Sequence, residues 1–511
     1  MFEGQPKGLY ALALANTGER FGYYTMLAVF ALFLRANFGL EAGVAGTIYS
    51  SFLMFVYFFP LIGGMLADKF GFGKMVTIGI TIMFGGYLLL SLPMGGDTLA
   101  LVVMFAALVL IGFGTGLFKG NLQVMVGDLY NDPKFADKRD SGFSIFYMAI
   151  NIGALFAPTA AIKIMEWAQT DLGYSVNDSY HFAFAVACAS LILSIAIYFL
   201  SRPLFSHVEG GKKKTGDKSA ATVEVEKLSP AETKQRVVAL CLVFAVVIFF
   251  WMAFHQNGLT LTYFADEFTS RSSEGVEALA FNVWNLVCVI VMVYAGFSLF
   301  QGKTAQTKII SAIVFAAALG IIIWQYMSQD GAVKVSAPIF QQFNPFYVVA
   351  LTPISLAIFG ALAKRGKEPS APRKIAYGMI IAALGFVVMA VGSIGLPVPQ
   401  MEMVDGEKVA MHVADVTPQL LIYTYLVLTF AELLLSPMGI SFVSKVAPPH
   451  LKGMMMGGWF VATALGNQLV MVGGFLWGGI PLWIVWTVFV VLCILSAIFM
   501  FAMMKRLEKV C

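Results

Sequence analysis

The chain has 511 residues, of which 59% are hydrophobic and only 12% charged, with a formal net charge of +4. An ordinary soluble domain carries about 25% charged residues, so this composition excludes a chain folded for water. Nearly all the basic residues lie in short connections between apolar runs, which points to membrane topology and away from nucleic acid or an acidic partner.

The chain opens without the basic start and small-residue cleavage site of a signal peptide, and its first apolar run carries Glu19 and Arg20, so that run is expected to be retained. An apolar run of about 18 residues or more can cross a hydrocarbon core of roughly 30 Å as a helix, and barrel strands would be half that length. The first six helices are expected at 9–35, 45–67, 75–93, 99–127, 142–165 and 181–200, a six-helix bundle over residues 1–200. Residues 201–235, with Lys212, Lys213, Lys214, Asp217 and Lys218, are too polar to bury and read as a cytoplasmic linker. Eight more helices are expected at 236–265, 278–300, 308–327, 339–363, 374–396, 417–445, 452–478 and 481–504, within a second half over 236–511. The fold class is therefore an all-α polytopic membrane protein of about fourteen spans, one unit with two halves.

With the amino terminus inside, only Arg35, Lys163, Arg271, Lys334 and Lys408 fall outside, only Arg20 and Lys119 lie in the membrane, and the other Lys and Arg occupy inner loops. This asymmetry is the positive-inside pattern and puts both termini in the cytoplasm. The short outer loops fit the plasma membrane of a bacterium, its inner membrane. Cys188, Cys241, Cys288, Cys493 and Cys511 are widely spaced, so neither disulfide nor metal is expected, and no cofactor is implied.

A charge at mid-membrane is costly, so intramembrane ionisable groups usually face a cavity. Asn16, Glu19, Arg20 and Tyr23 share one stripe of the first helix, with Tyr24 beside them; they form a binding wall, or a Glu–Arg pair that locks two helices together. Lys119 interrupts the fourth helix within Gly112-Phe113-Gly114-Thr115-Gly116-Leu117-Phe118-Lys119-Gly120-Asn121 and needs an anion, either Glu19 or, together with the planar fork of Arg20, a substrate carboxylate. Glu432 lies in Thr429-Phe430-Ala431-Glu432, ahead of Pro437 and Gly439, residues that can bend or loosen a helix. A carboxylate there can meet a substrate ammonium and can also take up a proton. His255, in Trp251-Met252-Ala253-Phe254-His255-Gln256-Asn257-Gly258, is the one histidine expected inside a span, as a titrating group or as a hydrogen-bonded packing residue. Basic groups in one half and a carboxylate in the other suit a zwitterion held between two halves that rock about it.

The run Gly63-Gly64-Met65-Leu66-Ala67-Asp68-Lys69-Phe70-Gly71-Phe72-Gly73-Lys74 resembles the loop signature of the major facilitator superfamily. Together with Glu19-Arg20-Phe21-Gly22-Tyr23-Tyr24, Phe146-Tyr147 through Asn151-Ile152-Gly153, Phe343-Asn344-Pro345, Ala431-Glu432 through Gly439, and Gly457-Gly458-Trp459-Phe460 to Gly466-Asn467, it resembles the proton-dependent oligopeptide transporter family over essentially the whole chain. That resemblance implies two six-helix bundles around a central pocket and proton-coupled symport of di- or tripeptides. It implies Arg20, Lys119, Tyr23, Tyr24 and Tyr57 for the peptide carboxylate end, Asn151, Asn344 and Glu432 for the amino end, and Trp251 and Trp459 beside side-chain pockets. Gly63, Gly64, Asp68, Gly71 and Lys74 would serve conformational change.

Three departures matter. Asn16 stands where the family's first-helix pattern starts with Glu, so proton coupling would rest on Glu19, Glu432 or His255. Lys119-Gly120 replaces the usual Lys-Pro. The two extra helices are expected near 278–327, as peripheral packing elements, where bacterial relatives commonly place such a pair between the halves. The rival readings are the same fold carrying nitrate, an amino acid derivative or a peptide-like drug, or an uncoupled peptide facilitator. No phosphate-binding Gly-x-x-x-x-Gly-Lys loop occurs, and His207, His412 and His450 are loop or end residues while His181 begins helix six, so neither ATP use nor an enzyme is expected.

Overall fold

The computed structural model describes residues 4–210, 228–404, 407–448 and 451–510. The charged core of the expected linker, Lys212, Lys213, Lys214, Asp217 and Lys218, lies outside the described residues, as do His450 and Cys511. Among the described residues, 14 helices are long and apolar enough to cross a membrane. They are α1 (Lys7–Phe38), α2 (Ala42–Phe70), α3 (Phe72–Leu90), α4 (Thr98–Asp128), α5 (Arg139–Thr170) and α6 (Val176–Leu200). Then come α7 (Pro230–Glu267), α8 (Val283–Gln301), α9 (Ala305–Met327), α10 (Phe343–Lys364), α11 (Ala371–Gly392), α12 (Gln419–Val446), α13 (Lys452–Leu469, continued by Met471–Leu476) and α14 (Leu482–Glu508).

Side-chain caps define several starts. The Asp97 carboxylate accepts the Ala100 N–H at 2.8 Å, and Ser229 with Glu232 forms a reciprocal capping box ahead of Pro230 at the first turn of α7. Two short antiparallel strand pairs, Ser272–Ser273 with Val333–Lys334 and Met401–Val404 with Glu407–Ala410, sit in loops and add nothing to the transmembrane core.

Helices α1 to α6 pack among themselves, α7 packs with α11 to α14, and α10 packs on α12. Packing is closest where glycine removes a side chain: a Cβ on Gly63 of α2 would lie 2.2 Å from the Gly116 carbonyl oxygen of α4. The pair α8–α9 is peripheral: only 22% and 11% of their apolar stretches are buried, against 78% in α1, and their remaining surface is the apolar kind that lipid covers.

The expected spans hold in number and order, with five corrections. The segment expected as one helix over 236–265 is broken: α7 is helical over Pro230–Phe254, turns through a 3-10 segment His255–Gly258, and resumes over Thr260–Glu267. The segment expected over 452–478 breaks at Val470. His181 lies within α6 instead of at its start, with Nδ1 2.9 Å from the Leu90 carbonyl. Arg35, expected on the outer side at the end of the first helix, is buried in the last turn of α1; Lys374, expected in an inner loop, is buried in the first turn of α11. In contrast α12 runs as one helix through Pro437.

The described ends of the chain, Gly4 and Val510, lie at one end of the bundle, as an even number of spans requires. Among the described residues, the hydrogen bonds and ion pairs that join the two halves lie toward the opposite end. Arg35 pairs with Glu267, which also accepts from Trp477 Nε1 at 3.2 Å; Gln341 Nε2 donates to the Ala28 carbonyl at 3.1 Å; Lys408 meets Glu41 at 2.7 Å.

Candidate functional site

Between the halves lies a cavity of about 270 Å³, near the lower end of the roughly 300–1,000 Å³ usual for small-molecule sites. Every residue expected to bind substrate lines it: Arg20, Tyr23, Tyr24, Tyr57, Lys119, Asn151, Trp251, Asn344, Glu432 and Trp459. So does His255. Glu19 and Asn16 do not; both are buried in α1 beside the cavity wall.

The first half supplies the positive wall. Arg20 turns back on its neighbour, donating from Nε and Nη2 to the two Glu19 carboxylate oxygens at 2.5 Å each, and its Cζ lies 4.4 Å from the centre of the Tyr23 ring. Lys119 has no carboxylate in ion-pair range among the described residues; its Nζ rests 4.5 Å from the centre of the Tyr57 ring, a cation–π contact. Of the two partners considered for Lys119, Glu19 is therefore committed to Arg20, and the ammonium faces the cavity with an aromatic neighbour only.

The second half supplies the acidic wall. Asn344 Nδ2 donates to Glu432 Oε2 at 2.8 Å and to Thr429 Oγ1 at 3.1 Å, so the carboxylate is held by an amide, with no cation paired to it among the described residues. Facing it from α5 of the first half, Asn151 Nδ2 donates back to the Tyr147 carbonyl at 3.0 Å. Trp459 fits against α12 because position 439 is glycine: a Cβ there would meet the indole at 1.8 Å.

His255 begins the break in α7. Its ring stacks on Trp251, with centroids 5.1 Å apart, and its Nδ1 donates to Asn467 Oδ1 at 2.5 Å. Irregular backbone inside a membrane must have its polar groups satisfied. Here the Tyr425 hydroxyl donates to the Asn257 carbonyl at 2.8 Å, and Gln256 Nε2 donates to Met252 O and to Val470 O, bridging the breaks of α7 and α13.

Reading the sequence for charges missed several neutral polar lining groups, Gln123, Tyr147, Asn257, Gln341 and Tyr425. Gln123 stands four residues after Lys119, Tyr147 four before Asn151 and Gln341 three before Asn344, so helical spacing from the residues already chosen was the available signal. Of the loop residues, Gly71 caps α2 with φ 98° and Gly63 permits the approach of α4, while Gly64 has open space around it. Asp68 and Lys74 are exposed, with Lys74 6.0 Å from the Phe70 ring.

A second cavity of about 450 Å³ adjoins the first, sharing Tyr147, Asn151, Glu432 and Ser436, and runs between α5, α10 and α12 toward Glu368 and Lys374 at the end that carries the termini.

The comparisons with known proteins agree with this arrangement. The family model PTR2, the POT family, matches residues 73–228 and 305–473. The chain is 30% identical over 491 residues to the uncharacterized transporter YclF of Bacillus subtilis, covering 92% of this chain and 87% of that one. It is 27% identical to dipeptide and tripeptide permease A of Klebsiella pneumoniae, over 90% and 82% of the two chains. Among solved structures, peptide transporter POT in complex with sulfate superposes with a TM-score of 0.72 at 23% identity, covering 100% of this chain and 96% of that one. A POT family transporter in complex with 5-aminolevulinic acid gives 0.74 at 19%, over 99% and 98%. These likenesses show the fold, the major facilitator arrangement with two added helices, and by the family match over most of its length the chain belongs to the POT family.

Proposed function

We propose that this protein is a secondary active transporter that moves di- or tripeptides together with protons by alternating access. The observation that carries the reading is one cavity with a positive wall, Arg20 and Lys119, on one half and a carboxylate, Glu432, on the other. A short peptide is a zwitterion, and a site that spans its two charges can select both end groups at once. In this reading Lys119 and Arg20 take the peptide carboxylate, with Tyr23, Tyr24 and Tyr57 around it; Asn151, Asn344 and Glu432 take the ammonium; and Trp251 and Trp459 bound the side-chain space. Glu432 is the leading proton carrier, with Glu19 and His255 as further candidates. Two relatives named for di- and tripeptide transport support the substrate class.

Residues 1–200 and 236–511 act as the two rocking halves, joined by the 201–235 linker, with α8 and α9 riding on the second. Gly63, Gly64, Asp68, Gly71 and Lys74 serve the rocking. The latch of Arg35 and Glu267 holds one end closed while the crevice beside Glu432 reaches the other. With both termini cytoplasmic, in a bacterial inner membrane, this state faces inward. A second reading keeps the site but replaces the peptide by another small zwitterion such as an amino acid derivative, since the same walls would hold it.

The test is uptake of a labelled dipeptide into vesicles holding the purified protein, with and without an inward proton gradient. Accumulation only with the gradient supports symport. Equilibration without it makes the protein a facilitator, and no dipeptide flux moves the site to another solute.

A further inference from the structure

Helices α2, α5, α10 and α12 each contain an internal proline, Pro60, Pro158, Pro353 and Pro437. A proline has no N–H, so each leaves the carbonyl four residues earlier without its helical donor. In α10 the freed carbonyl is that of Val349, and it is buried. It is also the one of the four that a side chain from another helix takes up among the described contacts: the Tyr294 hydroxyl of α8 donates to it at 3.2 Å. This contact sits in the wall between two spaces. Tyr294 and Pro353 line both the crevice that reaches Glu432 and a groove of about 940 Å³ between α5, α8 and α10. One turn and a half earlier on α10, Asn344 holds Glu432.

We propose that the α8–α9 hairpin acts on transport through Tyr294, a positioning residue whose hydroxyl supplies the hydrogen bond that Pro353 cannot and so steadies α10 at that proline. A proline bend is a place where a helix can change angle, because one rung of its ladder is missing. Tying that carbonyl to α8 makes the angle of α10 at Pro353 answer to the hairpin. The hairpin in turn is fixed at both ends, by Asn282 Nδ2 to Gln325 Oε1 at 2.9 Å and by Ser311 Oγ to Ser298 Oγ at 2.8 Å. The inference rests on reading α10 as a moving wall of a transporter, but it says nothing about which solute is carried.

The test uses Ser355→Cys, at a position that lines the crevice on α10, in full-length protein whose native cysteines are replaced by serine. The rate of labelling by an impermeant thiol reagent is read in four forms: the parent, Tyr294→Phe, Pro353→Ala and the double variant. Removing the hydroxyl should speed labelling by about two- to tenfold, the effect of one net hydrogen bond on a conformational equilibrium. In the Pro353→Ala background the restored N–H satisfies Val349 within its own helix, so Tyr294→Phe should then change the rate by less than about twofold. An unchanged rate in Tyr294→Phe would overturn the proposal, and so would an equal acceleration in both backgrounds. These ratios need no substrate; a parent protein that carries no dipeptide would defeat the peptide reading and leave them interpretable.

Discussion

Lys119 and Arg20 share a wall but not a state. Arg20 gives two of its donors to Glu19, which leaves that pair near neutral, whereas Lys119 has no ion-pair partner among the described residues and rests on the Tyr57 ring. A substrate carboxylate arriving here would therefore find Lys119 ready as a point charge and Arg20 as a fork that must loosen from Glu19. Arg20→Lys is expected to keep transport but raise KM for a dipeptide about tenfold, the loss of one charge-assisted hydrogen bond. An unchanged KM in uptake assays would make Arg20 a structural partner of Glu19 only. His255→Gln tests a different role: Gln can still donate to Asn467 but cannot titrate, so the pH profile of uptake should change while the amount of folded protein does not. An unchanged profile leaves His255 as packing on Trp251. Arg20, Lys119 and Glu432 were legible in the sequence because a charge inside an apolar run has few innocent explanations. Glu267 was not: it stands at the edge of its run, where a carboxylate is ordinary, and its burial comes from Arg35 and Trp477, distant in the chain.

At the scale of elements, the count and order of spans could be read because twenty apolar residues admit one solution in lipid. The breaks in α7 and α13 could not. His255-Gln256-Asn257-Gly258 reads as a polar patch in a continuous helix, and the bonds of Tyr425 and Thr262 to the Asn257 carbonyl and of Gln256 to Val470 O, which sustain the unwound turn, come from the tertiary fold. The reverse error was avoided by little at Pro437, which suggested a bend, yet α12 remains one helix. Packing across elements gives a sharp prediction at Gly439. A methyl group there would collide with the Trp459 indole, so Gly439→Ala should push the ring into the cavity at an overpacking cost of about 1–3 kcal/mol. Dipeptide KM should rise with only a modest fall in thermal stability; an unchanged KM would show that the indole has room to withdraw.

At the scale of the whole molecule, three ion pairs among the described residues join the halves at the same end, Arg35–Glu267, Lys408–Glu41 and the exposed Lys334–Glu166, and the first two differ in kind. Arg35 and Glu267 are buried, so Glu267→Gln strands a buried guanidinium, at about 3–5 kcal/mol, and should weaken the latch. Reporter distances across that end should lengthen in the variant and stay short in the parent. The pair of Lys408 and Glu41 is exposed, and such pairs contribute little. The hydrogen bond and charge of Lys408 hold the Glu41 carboxyl below its ordinary value, so the contact is complete above that value and lost as pH falls through the lowered one. Glu41→Gln should leave the same reporter distances unchanged near neutral pH.

The central claim is that peptide and proton move together through a site whose acidic wall is Glu432. The most direct measurement is the internal pH of vesicles containing the purified protein when a dipeptide gradient alone is imposed, in the parent and in Glu432→Gln, with dipeptide counterflow measured in parallel. The account predicts that inward dipeptide acidifies the parent vesicles, and that the variant shows counterflow without acidification. Dipeptide entry with no change of pH in the parent, or equal acidification in the variant, would contradict it.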